Sequence, residues 1–126
     1  MYESGENYLE TILMLKEKQG TVRSIDIART MEFSKPSVSR AVGILKEDGY
    51  ITIENGGGIE LTEKGKEKAA QIYERHKLLT VFLERVTGVP GEIAETDACK
   101  MEHILSDEVF LGIKRFMKEG IDHDKN

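Results

Sequence analysis

SIDIARTMEFSKPSVSRAVGILKEDGYITIENGGGIELT, Ser24 to Thr62, is the stretch whose reading decides how this chain folds. Its last third changes period. YITIENGGGIELT (Tyr50–Thr62) alternates apolar and polar residues on either side of Asn55-Gly56-Gly57-Gly58. That pattern predicts two short strands joined by a turn whose glycines supply the positive φ values it needs. Upstream, SKPSVSRAVGILKEDG (Ser34–Gly49) repeats its apolar residues at helical spacing, with Val38, Ala41, Val42 and Leu45 on the inward side. Ser34 can cap this helix. Pro36 is tolerated in the first turn, where an amide donor would be unpaired anyway, and Gly49 stops the helix. SIDIARTM (Ser24–Met31) predicts a shorter helix, with Ser24 as N-cap and Ile27, Ala28 and Met31 facing inward.

Working outward, residues 6–18 read as an amphipathic helix. Tyr8, Leu9, Ile12 and Leu15 form its apolar stripe, Asn7, Glu10 and Met14 line another face, and Gly20 ends it. Helix, helix, helix, hairpin is the order of a winged helix-turn-helix, with residues 24–31 and 36–48 as the helix-turn-helix pair. A generic three-helix domain with a hairpin is the plainer alternative. Charge weighs between them. The chain carries a net −5, which as a total disfavours nucleic acid. Between Lys16 and Lys46, however, seven basic residues (Lys16, Lys18, Arg23, Arg29, Lys35, Arg40, Lys46) face three acids (Glu17, Asp26, Glu32). A local basic excess on these helices favours DNA binding through that region alone.

From Glu63 a long helix is predicted to about Thr87, with Ile72, His76, Leu79, Leu83 and Val86 on one stripe, broken by Gly88 and Pro90. A further helix covers roughly Gly91 to Leu105. Ser106 caps a last one, which carries Val109, Phe110, Ile113, Phe116 and Met117 on one side. So much apolar helix surface with no second layer of its own predicts burial against another copy, a homodimer. The expected fold class is mainly α. Residues 1–62 form the winged helix-turn-helix, and residues 63–126 form a helical second domain. Hydrophobic residues at 39% and charged ones at 33% describe a globular rather than a disordered chain. The apolar runs are too short to span a bilayer and no signal peptide opens the chain, so no membrane partner is expected. One cysteine forms no internal disulfide, which fits a reducing cytoplasm.

DACKMEH (Asp97–His103) carries the most distinctive chemistry. On a helix, Cys99, Glu102 and His103 share one face. Taken singly, each has an ordinary reading: a small buried thiol, a solvated Glu–His pair, and in His76 a core histidine with a satisfied ring. Taken together, a thiolate and a carboxylate beside an imidazole repel one another unless a divalent cation sits among them. Asn7 and Glu10, three residues apart on the first helix, and His76 on the long helix offer further donors to the same ion. A thiolate favours the softer Fe(II), Co(II), Ni(II) or Zn(II), while carboxylates and an amide oxygen suit Mn(II). Availability in the cell then points to Fe(II) or Mn(II), with Co, Ni or Zn binding in vitro.

The chain resembles the diphtheria toxin repressor and manganese transport regulator family of metal-dependent transcription repressors. The matching stretches are ENYLETI, VRSIDIA, SKPSVSRAV, IELTEKG, YERH and DACKMEH followed by LSDEV, in family order over about residues 5–115. The resemblance implies a metal-activated repressor of metal-ion uptake and homeostasis genes, in the short two-domain form. It is expected to bind a palindromic double-stranded DNA operator as a homodimer. It also implies that Cys99, Glu102 and His103 are ligands on the metal-binding helix, with His76 as the long-helix ligand. The cysteine matches the iron branch and Glu10 the first-helix carboxylate of the manganese branch. Asn7 stands where the family usually has Asp or Met and is a weaker ligand. Thr80 and Glu95 stand where the iron branch has the ligands of an ancillary site.

On the recognition helix, Ser34, Ser37, Ser39 and Arg40 are the candidates to reach DNA, with Pro36 able to touch a thymine methyl. Arg40 is the expected base reader, because a guanidinium pairs two acceptors of guanine. Lys35 and Lys46 are expected on phosphates. For Ser34, capping and DNA contact both stay open. An enzyme using Cys99, His103 and His76 with Glu102 as base needs an open coordination position and a substrate pocket. A chain of 126 residues, half of it a winged helix, leaves little room for one. The remaining rival is a winged-helix regulator gated by an organic effector, with the Cys/Glu/His cluster structural.

Overall fold

The computed structural model describes residues 3–124. It divides into two compact units, Met1–Ile72 and Tyr73–Asn126. The first holds α1 (Glu3–Gln19), α2 (Ser24–Met31), α3 (Lys35–Glu47), β1 (Ile51–Ile53), β2 (Ile59–Leu61) and the opening turns of α4 (Glu63–Thr87). The second holds the rest of α4, then α5 (Gly91–Met101) and α6 (Asp107–Asp124).

In the first unit the apolar stripes read from the sequence close on one core. Tyr8, Leu9, Ile12 and Leu15 of α1, Ile27 and Ala28 of α2, and Val38, Val42 and Leu45 of α3 are all buried in it. The hairpin adds Ile51, Ile59 and Leu61, and α4 adds Ala69. The strands pair antiparallel, Ile51 opposite Leu61 and Ile53 opposite Ile59. Gly56 and Gly57 turn the chain between them at φ 93° and 91°, a region closed to most side chains. The Ile59 amide donates to the Val22 carbonyl at 2.7 Å, and Lys16 of α1 pairs with Glu60 at 2.5 Å. These two links fasten the wing to the first helix and its exit.

Three expectations about helix ends need correction or refinement. The first helix starts earlier than residue 6, at Glu3. The second helix begins at Ser24 rather than being capped by it. Arg23 is the residue in extended geometry, and the Asp26 carboxylate accepts from its amide at 2.9 Å. An acid three residues in thus closes on the amide of the residue before the helix, while the Asp26 amide itself donates to the Arg23 carbonyl at 3.0 Å. The third concerns α5, which stops at Met101 rather than near Leu105. Glu102 is its C-cap, with its N–H donating to the Ala98 carbonyl at 2.9 Å, and residues 102–105 form a turn.

In the second unit Leu79 of α4, Ala94 and Ala98 of α5, and Phe110 and Met117 of α6 are buried. The Ser106 hydroxyl accepts from the Val109 amide at 3.2 Å, the cap expected for α6. The apolar faces are not all covered. Val86 (59%), Val109 (49%) and Phe116 (60%) remain exposed on the single chain, with Ile93 and Ile104 beside them in that class. Among the described residues, no helix is long and apolar enough to cross a membrane.

Candidate metal centre and nucleic-acid interface

The donors of the second unit gather around one carboxylate. Glu102 is 2% exposed, at the point where α5 gives way to the turn. His76, from α4, places Nδ1 2.9 Å from Glu102 Oε2, and His103 places Nε2 3.2 Å from Glu102 Oε1. The His103 and Glu102 side chains are 1% and 0% exposed. The other ring nitrogen of His76 lies 3.4 Å from Glu95 Oε1. Cys99, half-buried, sits one turn before Glu102, because helical geometry continues through that cap. The turn beyond the helix carries His103.

Burying a carboxylate is costly unless something compensates its charge. One oxygen of Glu102 has the His76 N–H in the Nδ1 tautomer. The other accepts no hydrogen bond among the described residues: the His103 nitrogen is within ion-pair range but off the line a hydrogen bond needs. A fully buried acceptor beside imidazole nitrogen is an environment that a small cation satisfies. Carboxylate oxygen and imidazole nitrogen, with a thiol one turn away, are donors for a first-row divalent ion. The residues present therefore fit such a metal.

Glu10 and Asn7 belong to the first unit. They lie one turn apart on α1, Glu10 buried and Asn7 half-buried. Thr80 is committed locally, its hydroxyl donating to the His76 carbonyl at 2.8 Å. Inspection of residue types missed Arg75, which reaches the backbone of the turn carrying Glu102. Standing before His76 among other charged residues of α4, it has no local feature to distinguish it.

The expected recognition helix, α3, buries Val38, Val42 and Leu45 and turns the opposite side outward. Pro36, Arg40, Gly43 and Glu47 run along that exposed face, with Ser39 and Lys46 beside them. The side chains of Lys35, Arg40 and Lys46 make no hydrogen bond or ion pair among the described residues, so no internal partner competes for them. Ser34 is the cap: its Oγ accepts from the Ser37 amide at 3.3 Å and donates to Ser37 Oγ at 2.8 Å. Both serines stay exposed, so capping does not withdraw them from the surface. Gly43 and Glu47 were not anticipated there, although the same helical spacing places them.

Residues 1–59 match the family model described as the iron dependent repressor N-terminal DNA binding domain. Residues 62–122 match the one described as the iron dependent repressor metal binding and dimerisation domain. The chain belongs to the iron-dependent repressor family. This member is 37% identical over 120 residues to an uncharacterised helix-turn-helix transcriptional regulator of Methanocaldococcus jannaschii, covering 94% of this chain and 96% of that one. It is 40% identical over 103 residues to the transcriptional regulator MntR of Bacillus velezensis, covering 82% and 72%. It is 34% identical over 109 residues to the iron-dependent repressor IdeR of Mycobacterium tuberculosis, covering 86% of this chain but 47% of IdeR. The repressor thus spans about half the length of some curated relatives. Among solved structures it superposes on the manganese regulator SloR with a TM-score of 0.80 at 29% identity, over 90% of this chain and 53% of that one. On a manganese-dependent transcriptional repressor in complex with manganese the TM-score is 0.82 at 27% identity, over 92% and 52%. The two matched models divide the repressor's work: DNA binding in the first part of the chain, metal binding and dimerisation in the second.

Proposed function

We propose that this chain is a cytoplasmic, metal-gated repressor of metal-ion uptake and homeostasis genes, active on a palindromic operator when loaded with Fe(II) or Mn(II). One observation supports the reading above the others: the buried Glu102 carboxylate lies between the imidazoles of His76 and His103. His76, Cys99, Glu102 and His103 would hold the ion from the second unit, with Glu10 contributed by α1 and Asn7 as a weaker donor. Bound there, a divalent cation supplies the positive charge that lets buried carboxylates from two parts of the chain share one site.

Ligation from both parts restrains the DNA-binding domain relative to the dimerising half. A dimer built on exposed Val86, Val109 and Phe116 then carries two α3 helices at a fixed separation. Half-sites on one face of B-DNA repeat about one turn, or ~34 Å, apart. Without that restraint each binding event carries an ordering cost. A coupling of ~1–3 kcal/mol, or roughly 5- to 150-fold in affinity, is typical of such linkage, and operator DNA must tighten metal binding by the same factor. Anaerobic titrations of operator binding with Fe(II), Mn(II) and Zn(II) in turn should show this tightening. Equal binding in chelator defeats the proposal.

Within the interface, Arg40 carries sequence preference while Lys35 and Lys46 meet phosphates. A bidentate contact to guanine discriminates by about 1–3 kcal/mol. Arg40→Ala should therefore narrow the gap between operator and random DNA by roughly 5- to 150-fold, measured by competition at fixed salt. Full discrimination in that variant rules out Arg40 as the base reader.

A further inference from the structure

We infer that Arg75 is a positioning residue for Glu102 and His103, holding the backbone of the turn on which these donors sit. The inference rests on the metal-site reading above. Arg75 precedes His76 on α4, and its side chain is only 19% exposed. Nη1 donates to the Glu102 carbonyl at 3.0 Å and to the Leu105 carbonyl at 3.3 Å. Nη2 donates to Asp107 Oδ1 at 2.6 Å, at the start of α6. The guanidinium carbon lies 4.8 Å from the centre of the Phe110 ring, which covers it from α6.

The turn needs such a partner. A helix leaves its last carbonyls without intrahelical donors, and α5 ends where Glu102 must be placed. A guanidinium is suited to the task, since it presents five donors in a rigid fork and its charge complements the negative end of the helix. Consecutive residues of α4 thus hold the two ends of Glu102: His76 takes the carboxylate and Arg75 the carbonyl. His103 follows in the same turn, so its ring inherits the placement. Removing the fork frees the backbone on which two donors ride, while every donor atom stays in the chain.

The test uses the full-length protein and Co(II) alone as a spectroscopic probe, with Arg75→Met, Arg75→Lys and Asp107→Asn beside the wild type. Partners that orient ligands typically change metal affinity by 10- to 100-fold. Arg75→Met should bind Co(II) about 10- to 100-fold more weakly, with its visible bands displaced. Arg75→Lys restores a charge but not the fork, so it should recover only part of the affinity and of the band position. Asp107→Asn, at a residue whose side chain is 88% exposed, should show a smaller loss of the same sign and serves if the Arg75 variants fail to fold. A merely structural arginine would lower the metal-free melting temperature and leave Co(II) affinity and spectrum as in the wild type; that result overturns the inference. So does an unchanged Asp107→Asn when the Arg75 variants do not fold. A wild type that gives no Co(II) spectrum overturns the metal-site reading itself.

Discussion

Glu102→Gln is expected to leave the protein folded, leave its metal-free affinity for operator DNA unchanged, and remove the response to metal. The substitution keeps the volume of a side chain that is fully buried. It also keeps a carbonyl oxygen that can accept from His76 Nδ1, so the 2.9 Å contact survives without the charge. What goes is the anionic oxygen. An amide is a poorer ligand for a hard divalent ion, and the change strikes a donor rather than one of its supports. Affinity for Fe(II) or Mn(II) should fall by at least the ~10- to 100-fold seen when only a supporting partner is lost. At metal concentrations that saturate the wild type, the 5- to 150-fold tightening on DNA should then collapse toward unity. Fluorescence anisotropy on labelled operator, run anaerobically with and without metal, measures both limbs. A variant that tightens on DNA as the wild type does would remove Glu102 from the site. Cys99→Ala combined with His103→Ala separates the rival: regulation by an organic effector, with a merely structural cluster, would survive the loss of these donors.

The parts of this molecule that were legible in the sequence are those fixed by local pattern. The hairpin follows from period-two residues around Asn55–Gly58, and Ser34 caps α3 as its position before Lys-Pro suggests. The core of the first unit follows from four short apolar stripes that had only one place to go. What local pattern misses are contacts closed over long stretches of chain. Nothing near Met101 announces the end of α5; the turn after it is held by Arg75, 27 and 30 residues earlier than the carbonyls it meets. The candidate metal residues show the same division. His76, Cys99, Glu102 and His103 were recognisable by type, whereas the pairing of His76 with Glu102, 26 residues apart, required the fold. The second half also showed that an apolar stripe does not name its cover. Phe110 and Met117 are buried within the chain, while Phe116 from the same face is left at 60% exposure in a domain whose family dimerises.

Gly65→Ala should be the most damaging small substitution in the first unit, although alanine is the better helix former. Gly65 sits in the first turn of α4, where the helix presses on the wing. A Cβ built there would lie 2.0 Å from the Tyr50 carbonyl oxygen and 3.3 Å from Leu61 Cδ2. The first distance is far inside contact, and its partner is backbone, which cannot swing away. That carbonyl already accepts from the Thr62 amide at 3.0 Å, while the Tyr50 amide donates to Leu45 at 3.0 Å. Relief therefore requires α4 to back off from the residues before β1. Such a shift strains the bonds that hold it there: Thr62 Oγ1 to the Gly49 carbonyl at 2.6 Å and Lys64 Nζ to the Asp48 carbonyl at 2.8 Å. Overpacking costs about 1–3 kcal/mol and each strained hydrogen bond about 1 kcal/mol, so a loss of ~3 kcal/mol is expected. For a unit of this size that lowers the melting temperature by about 12–24 °C, read by far-ultraviolet circular dichroism. Gly43→Ala is the control, because that glycine is also helical but has nothing within 4 Å of its Cβ direction. There alanine should raise stability by roughly 0.5–1 kcal/mol. If Gly65→Ala behaved like Gly43→Ala, the close approach of α4 to Tyr50 would be wrong, and with it the account of how the wing is seated.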